Sequence, residues 1–148
     1  MDWEKERMGF MTEAAGTTLV IEREFAYAPA KVWRALTESS LIAEWLMSND
    51  FQPLVGHGFQ FRMQPVGGWD GVIHSKVLVV EPEKRLSYTW GSMGLELVVL
   101  FTLTPVEAGT HLRMEQSGFP DAEGANYKGA KYGWSGFLGK MEAVVAGL

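Results

Sequence analysis

The spacing of apolar residues near the C-terminus predicts one long helix with an aromatic face. Apolar side chains recur every three or four positions from residue 127 to the end, which is the spacing of one helix face. The residues of this face are Tyr127, Ala130, Trp134, Phe137, Leu138, Met141, Val145 and Leu148. Since such a face is stable only when it is buried, we expect this helix to lie against a large concave surface.

The same helix carries glycines at positions 129, 133, 136 and 139. Together they cost roughly 3–4 kcal/mol of helix stability relative to alanine. We predict that Gly129, Gly133 and Gly136 point away from the sheet and make no room for a ligand. They would instead allow close approach by residues 3–11 or a partner subunit, or leave the helix loose enough to open.

Alternating apolar and polar residues predict a sheet in the rest of the chain. A first strand covers Leu19–Phe25, and two short helices follow, the first starting at Pro29. Strands separated by short Gly or Pro turns then run from Phe59 to Gln116, an arrangement that forms an antiparallel sheet. The predicted fold class is α+β, with a curved antiparallel sheet of about six strands wrapped around the long C-terminal helix.

The domain organisation follows from the same pattern. We expect residues 17–148 to form a single domain, preceded by a partly helical N-terminal extension, residues 1–16. Trp3, Phe10 and Met11 of this extension have weak helical spacing, and exposing them to water would be costly. They are therefore predicted to pack either on the domain surface or on a second copy of the chain. The second alternative would make the protein a homodimer.

Composition and charge exclude several classes of function. The chain has no cysteine, which excludes disulfides, zinc–thiolate sites and cysteine nucleophiles. A net charge of −5 and the lack of a Lys/Arg cluster argue against nucleic acid or an anionic membrane as partner. No apolar run is long enough for membrane insertion, and the N-terminus lacks the apolar region of a signal peptide. We therefore expect a cytoplasmic protein.

Four short motifs, in this order along the chain, resemble those of a known family. Val32–Thr37, with Trp45 downstream, reads VW-x-A-L-T followed by W. Val80–Trp90 reads V-x-P-x-x-R-L-x-Y-T-W, and Gly109–Phe119 contains G-T-x-L and S-G-F. Gly133–Leu138 reads GW-x-x-x-L. Together they resemble the family related to the activator of the ATPase of the ninety-kilodalton heat-shock protein.

The resemblance implies a fold and a range of functions. The family belongs to the SRPBCC superfamily, whose START-like helix-grip fold is shared with the birch-pollen allergen, polyketide cyclases and lipid-transfer domains. This fold agrees with the element order predicted above. The eukaryotic activator has an additional N-terminal domain, whereas only about sixteen residues precede the first predicted strand here. A full co-chaperone role is therefore not expected, since fold alone does not imply function.

A sheet that grips one helix either leaves a cavity beneath it or fills that space with side chains, and the sequence leaves both open. If a cavity exists, the inward-facing residues of the strands and helices are the candidates for ligand binding. These candidates are Trp45, Phe61, Met63, Tyr88, Trp90, Val99, Phe101, Met114, Gln116, Trp134, Phe137, Leu138 and Met141.

Arg23 and His57 are the candidate polar anchors. Arg23 shares strand parity with inward residues, so it either meets a ligand's anionic group or reaches water at the strand end. His57 lies between two glycines, either at a cavity mouth or in an exposed loop. His74 and His111 are predicted on the outer face, and the histidine spacing suits no metal site. No metal, cofactor or catalytic residue is assigned.

Three functions remain at this stage. The first is binding of a hydrophobic or aromatic small molecule, lipid-, flavonoid- or polyketide-like, between the sheet and the C-terminal helix, without committed catalysis. The second is a chaperone-associated protein-interaction module, and the third is a polyketide-cyclase-like enzyme that uses the same cavity. The enzyme hypothesis requires converging polar groups, and should be dropped if Arg23, His57 and Gln116 all lie outside the cavity.

Overall fold

The computed structural model describes residues 16–148, and this part of the chain contains one sheet and three helices. The predictions for Trp3, Phe10 and Met11 fall outside the described residues. The elements are β1 (Thr17–Phe25), α1 (Pro29–Thr37), α2 (Ser39–Trp45), β2 (Ser48–Asn49), β3 (Gly58–Arg62), β4 (Val72–Glu81), β5 (Arg85–Ser92), β6 (Leu95–Val106), β7 (Gly109–Phe119) and α3 (Ala125–Ala146).

The sheet has seven antiparallel strands in the order β1-β7-β6-β5-β4-β3-β2. It confirms the predicted helix-grip architecture, with one strand more than expected. The additional strand, β2, has only two residues and pairs with the end of β3. Its position is held from outside the sheet, because the hydroxyl of Ser39 donates to Oδ1 of Asn49 at 2.8 Å. A two-residue strand has no alternation that a sequence pattern could detect.

The long helix α3 packs on the concave face through the predicted side. Trp134, Leu138, Met141 and Val145 are buried, whereas Leu148 lies beyond the helix end. The concave face opposite this helix is continuous, because the strand register places inward-facing apolar side chains side by side. Ile21 of β1 pairs with Met114 of β7, which pairs in turn with Phe101 of β6.

Aromatic side chains fill the centre of the space between the sheet and α3. The Phe101 ring lies 6.4 Å from Trp45 and 5.9 Å from Trp134, both in edge-on geometry that suits aromatic pairs. Tyr88 continues the cluster 6.1 Å from Phe101, and Phe61 lies 5.7 Å from Tyr88. The indole of Trp45 donates to the carbonyl of Ala35 at 2.8 Å, which satisfies its buried N–H. These side chains therefore pack the central region against one another.

Between residues 16 and 148, no helix combines the length and the apolar character that crossing a membrane requires.

Candidate ligand-binding cleft

A cleft of about 200 Å³ opens between the sheet and the N-terminal half of α3. Its walls come from β5, the β5–β6 turn, β6, β7 and the first turns of α3, and they are mainly apolar. The lining residues are Trp90, Ser92, Met93, Leu95, Leu97, Gln116, Phe119, Asn126, Gly129, Ala130, Gly133, Trp134 and Phe137. The space beneath the helix is thus filled by side chains at its centre and open at one end. The two alternatives left by the sequence, a cavity and a filled core, each describe part of this space.

A tight turn shapes one wall of the cleft. Met93 and Gly94 have φ values of 53° and 80°, both in the left-handed region that two-residue hairpin turns require. This turn pairs Ser92 directly with Leu95, so β5 and β6 stay in register up to the cleft. The Met93 side chain is 70% exposed, which places a flexible thioether at the mouth.

Two glycines of α3 line the cleft, and the expectation that they point away from the sheet was wrong. Gly129 and Gly133 precede Ala130 and Trp134, so they lie on the flank of the buried face, about 100° around the helix axis. A Cβ at Gly129 would meet no described atom within 4 Å, and one at Gly133 would meet only the Phe137 ring, at 3.7 Å. Their missing side chains therefore leave part of the cleft open.

Gln116 and Trp134 form the buried polar contact at the base of the cleft. The indole Nε1 of Trp134 donates to Oε1 of Gln116 at 2.9 Å, and both residues are almost fully buried. Gln116 lies on the concave face of β7, between Leu19 of β1 and Val99 of β6. This hydrogen bond ties α3 to the sheet where the filled core ends and the cleft begins.

A shallower groove of about 340 Å³ continues from the cleft toward the loop between β3 and β4. The groove shares Trp90, Met93 and Gly129 with the cleft and adds Met63 and Trp69. Met63 is 47% exposed, so it contributes to the open rim rather than to an enclosed pocket. A ligand that outgrows the cleft would extend along this groove.

The structure separates the thirteen predicted ligand-binding residues into three groups. Trp90, Gln116, Trp134 and Phe137 line the cleft, and Met63 lines the groove. The other eight are buried in the core around the aromatic cluster and border neither space: Trp45, Phe61, Tyr88, Val99, Phe101, Met114, Leu138 and Met141.

Several lining residues were missed by the sequence analysis. Leu95 and Leu97 lie on a strand face that alternation did identify as inward, but nothing in the pattern placed that end of the strand beside a cavity. Phe119 and Asn126 flank the break between β7 and α3, where no periodicity exists. The recurrence of glycine at every third or fourth position of α3 was the one sequence signal for the cleft, and it indicated the helix that the cleft borders.

Neither polar anchor lines the cleft. Arg23 does face the concave side, but its Nη2 donates to the carbonyl of Ser135 on α3 at 2.9 Å. It thus links β1 to the helix, while its buried Nε has no hydrogen-bond partner among the described residues. His57 lies in the loop before β3, with Nε2 3.1 Å from the carbonyl oxygen of Asp50. Of the three polar residues considered, only Gln116 belongs to the cleft.

His111 lies on the outer face of the sheet, as predicted. Its Nε2 is 3.1 Å from Oε1 of Glu22, and Arg113 approaches the same oxygen at 3.5 Å. The hydrogen bond from His111 holds the pKa of Glu22 below its usual value, with Arg113 adding to the effect. These charges are therefore paired with one another on the face opposite the cleft.

The cleft suits a neutral guest, because none of its lining residues is Asp, Glu, His, Lys or Arg. Nor do any three His, Asp or Glu side chains within residues 16–148 converge in a way that could hold a metal ion. Burial raises the pKa of the Tyr88 phenol in the adjacent core, so that phenol stays neutral.

Comparison with known proteins places these features in a family. The family described as Activator of Hsp90 ATPase homolog 1-like protein matches residues 26–146. The crystal structure of protein MLL2253 from Mesorhizobium loti is 49% identical, with a TM-score of 0.80 over 88% of this chain and 97% of that chain. No curated protein matches the sequence.

Two further structures share the fold at lower identity. Protein BH1534 from Bacillus halodurans is 25% identical, with a TM-score of 0.75 over 87% of this chain and 96% of that chain. DynU16, a protein of the dynemicin biosynthetic locus, is 22% identical, with a TM-score of 0.72 over 89% of this chain and 47% of that chain. At such identity, the likeness to DynU16 shows the fold alone.

Proposed function

The chain belongs to the Activator of Hsp90 ATPase homolog 1-like family, and from this premise we propose that it binds a neutral aromatic small molecule, flavonoid- or polyketide-like, in the cleft beside α3. The observation that carries the proposal is the composition of the cleft wall. Aromatic and aliphatic side chains surround a single buried amide, which is the usual character of a small-molecule site.

The size of the cleft favours a flat ring system over a lipid tail. Its volume of about 200 Å³ is below the roughly 300–1,000 Å³ of common ligand pockets, so only part of a larger ligand would be enclosed. Trp90 and Trp134 line the cleft, and aromatic side chains of this kind favour contact with aromatic groups. A ligand of two or three fused rings would enter the cleft and leave its substituents in the groove.

Binding without chemistry accounts for the lining better than catalysis does. General acid–base catalysis needs a titratable group within hydrogen-bond reach of the reacting atom. The lining offers Gln116, Ser92 and Asn126 as polar side chains, and none of them changes its protonation state near neutral pH. A cyclase-like role would therefore rest on positioning the substrate alone.

The test is an NMR titration that follows the indole N–H signals of the six tryptophans. We expect flavone to shift the signals of Trp90 and Trp134 and to leave that of Trp33, which does not line the cleft, unchanged. A ligand of this size should bind with a Kd on the order of 100 μM. Decanoate, a lipid-like anion, should cause no such shifts, because no cation lines the cleft.

The absence of any shift with flavone at high micromolar concentration would contradict the proposal. So would a shift confined to Trp33, which would move the site elsewhere. Binding of decanoate at the same two indoles, and not of flavone, would replace the aromatic ligand with a lipid.

A further inference from the structure

The side-chain amide of Gln116 uses its oxygen in a hydrogen bond, whereas its nitrogen is available as a donor. An indole N–H can only donate, so the atom that accepts from Trp134 must be the oxygen of the Gln116 amide. That contact fixes the orientation of the amide and leaves Nε2 with its two N–H donors on the other side. Within residues 16–148, the buried side-chain atoms without a partner are Nε of Arg23 and Oγ of Ser75, so Nε2 of Gln116, which forms no hydrogen bond there either, reaches the open space of the cleft.

A donor that faces the cleft can take its acceptor from a bound ligand. Without a ligand, water can satisfy the amide N–H. A ligand that displaces this water without offering an acceptor leaves the N–H unsatisfied, which costs about 1–3 kcal/mol. The ligand itself is therefore expected to accept the hydrogen bond from Gln116.

We propose that the ligand carries a neutral carbonyl oxygen that accepts a hydrogen bond from Nε2 of Gln116, which makes the ligand class an aromatic ketone, flavone or quinone. The inference rests on the proposed function and adds the group by which the ligand is oriented. A carboxylate in that position would be buried without a cation, which is strongly unfavourable. A group that only donates would face Nε2 without forming a hydrogen bond.

The experiment compares 1-tetralone with tetralin, which share a ring skeleton and differ at one carbonyl. In the unaltered chain, we expect tetralone to bind about three- to tenfold more tightly, the effect of one net hydrogen bond. Gln116→Met keeps the length of the side chain but removes the donor, and should reduce this preference to less than twofold. Gln60→Met, the same exchange at a glutamine of β3 outside the cleft, should preserve the preference.

A second measurement avoids any variant that fails to fold. In the unaltered chain, tetralone should shift the side-chain NH₂ signals of Gln116, and tetralin should shift them much less. If both compounds bind equally to the unaltered chain, or if Gln116→Met retains the preference, the carbonyl inference is overturned while binding stands. If neither compound binds and flavone does not bind either, the proposed function itself fails.

Discussion

Replacing Phe101 with alanine is expected to lower the free energy of unfolding by about 3–5 kcal/mol. The Phe101 side chain is fully buried, and its ring contacts Trp45, Tyr88 and Trp134 at centroid distances of 5.9–6.4 Å. The substitution removes the ring that connects the sheet to both α2 and α3, and these neighbours cannot all move inward to fill the space. Since small domains are stable by only about 5–15 kcal/mol, this loss would remove a large share of the total stability.

Urea denaturation followed by tryptophan fluorescence would measure the effect. Thr104→Ala is the matched control, because Thr104 lies on the same strand but is exposed on its outer face. Its free energy of unfolding should change by less than about 0.5 kcal/mol. A loss below about 1 kcal/mol for Phe101→Ala would show that the aromatic cluster is not the packed core that the geometry indicates.

Local periodicity predicted the fold because each element carries its own pattern. The α3 face from Tyr127 to Val145 repeats over five turns, and β1 and β4 to β7 each run for eight to twelve residues. Strand β2 escaped detection because it has only two residues, and one of them, Asn49, is held by Ser39, ten positions away, rather than by a local pattern.

Which inward-facing side chains fill the core, and which border a cleft, depends on contacts that no local pattern contains. Trp45 and Trp134 are distant in sequence, yet their rings lie 6.4 Å apart and close the centre of the helix–sheet interface. The hydrogen bond between Gln116 and Trp134 likewise joins a strand to a helix, and it fixes which side of the amide faces the cleft. The alternation of β7 and the helical spacing of α3 predict that both residues face the helix–sheet interface. Neither pattern predicts that they contact each other.

The α3 glycines show how a correct signal led to a wrong expectation. The sequence pattern contrasts an aromatic face with a bare one, as if the helix had two sides. In the structure, the buried face is narrow, and Gly129 and Gly133 line the cleft beside it, whereas Gly136 and Gly139 do not. The cleft therefore explains the loss of helix stability at Gly129 and Gly133. It does not explain the loss at Gly136 and Gly139.

This division leads to the second prediction: Gly133→Leu should abolish ligand binding, and Gly136→Leu should not. Both substitutions raise helix propensity, so each should increase the free energy of unfolding by about 0.5–1 kcal/mol. The added Cβ at Gly133 meets the Phe137 ring at an ordinary 3.7 Å, and the rest of the leucine would occupy the cleft. At Gly136, no described atom lies within 4 Å of the new Cβ, and Gly136 does not line the cleft.

Flavone titrations of the two variants separate stability from binding. We expect at least a tenfold rise in Kd for Gly133→Leu, the equivalent of about 1.4 kcal/mol, and less than a twofold change for Gly136→Leu. Equal binding by both variants would mean that the cleft is not the site, even if both helices become more stable. If instead Gly133→Leu alone loses binding and also becomes more stable, the glycine at this position lowers the free energy of unfolding in favour of ligand binding. The reason would be that the ligand needs the space that a side chain would fill.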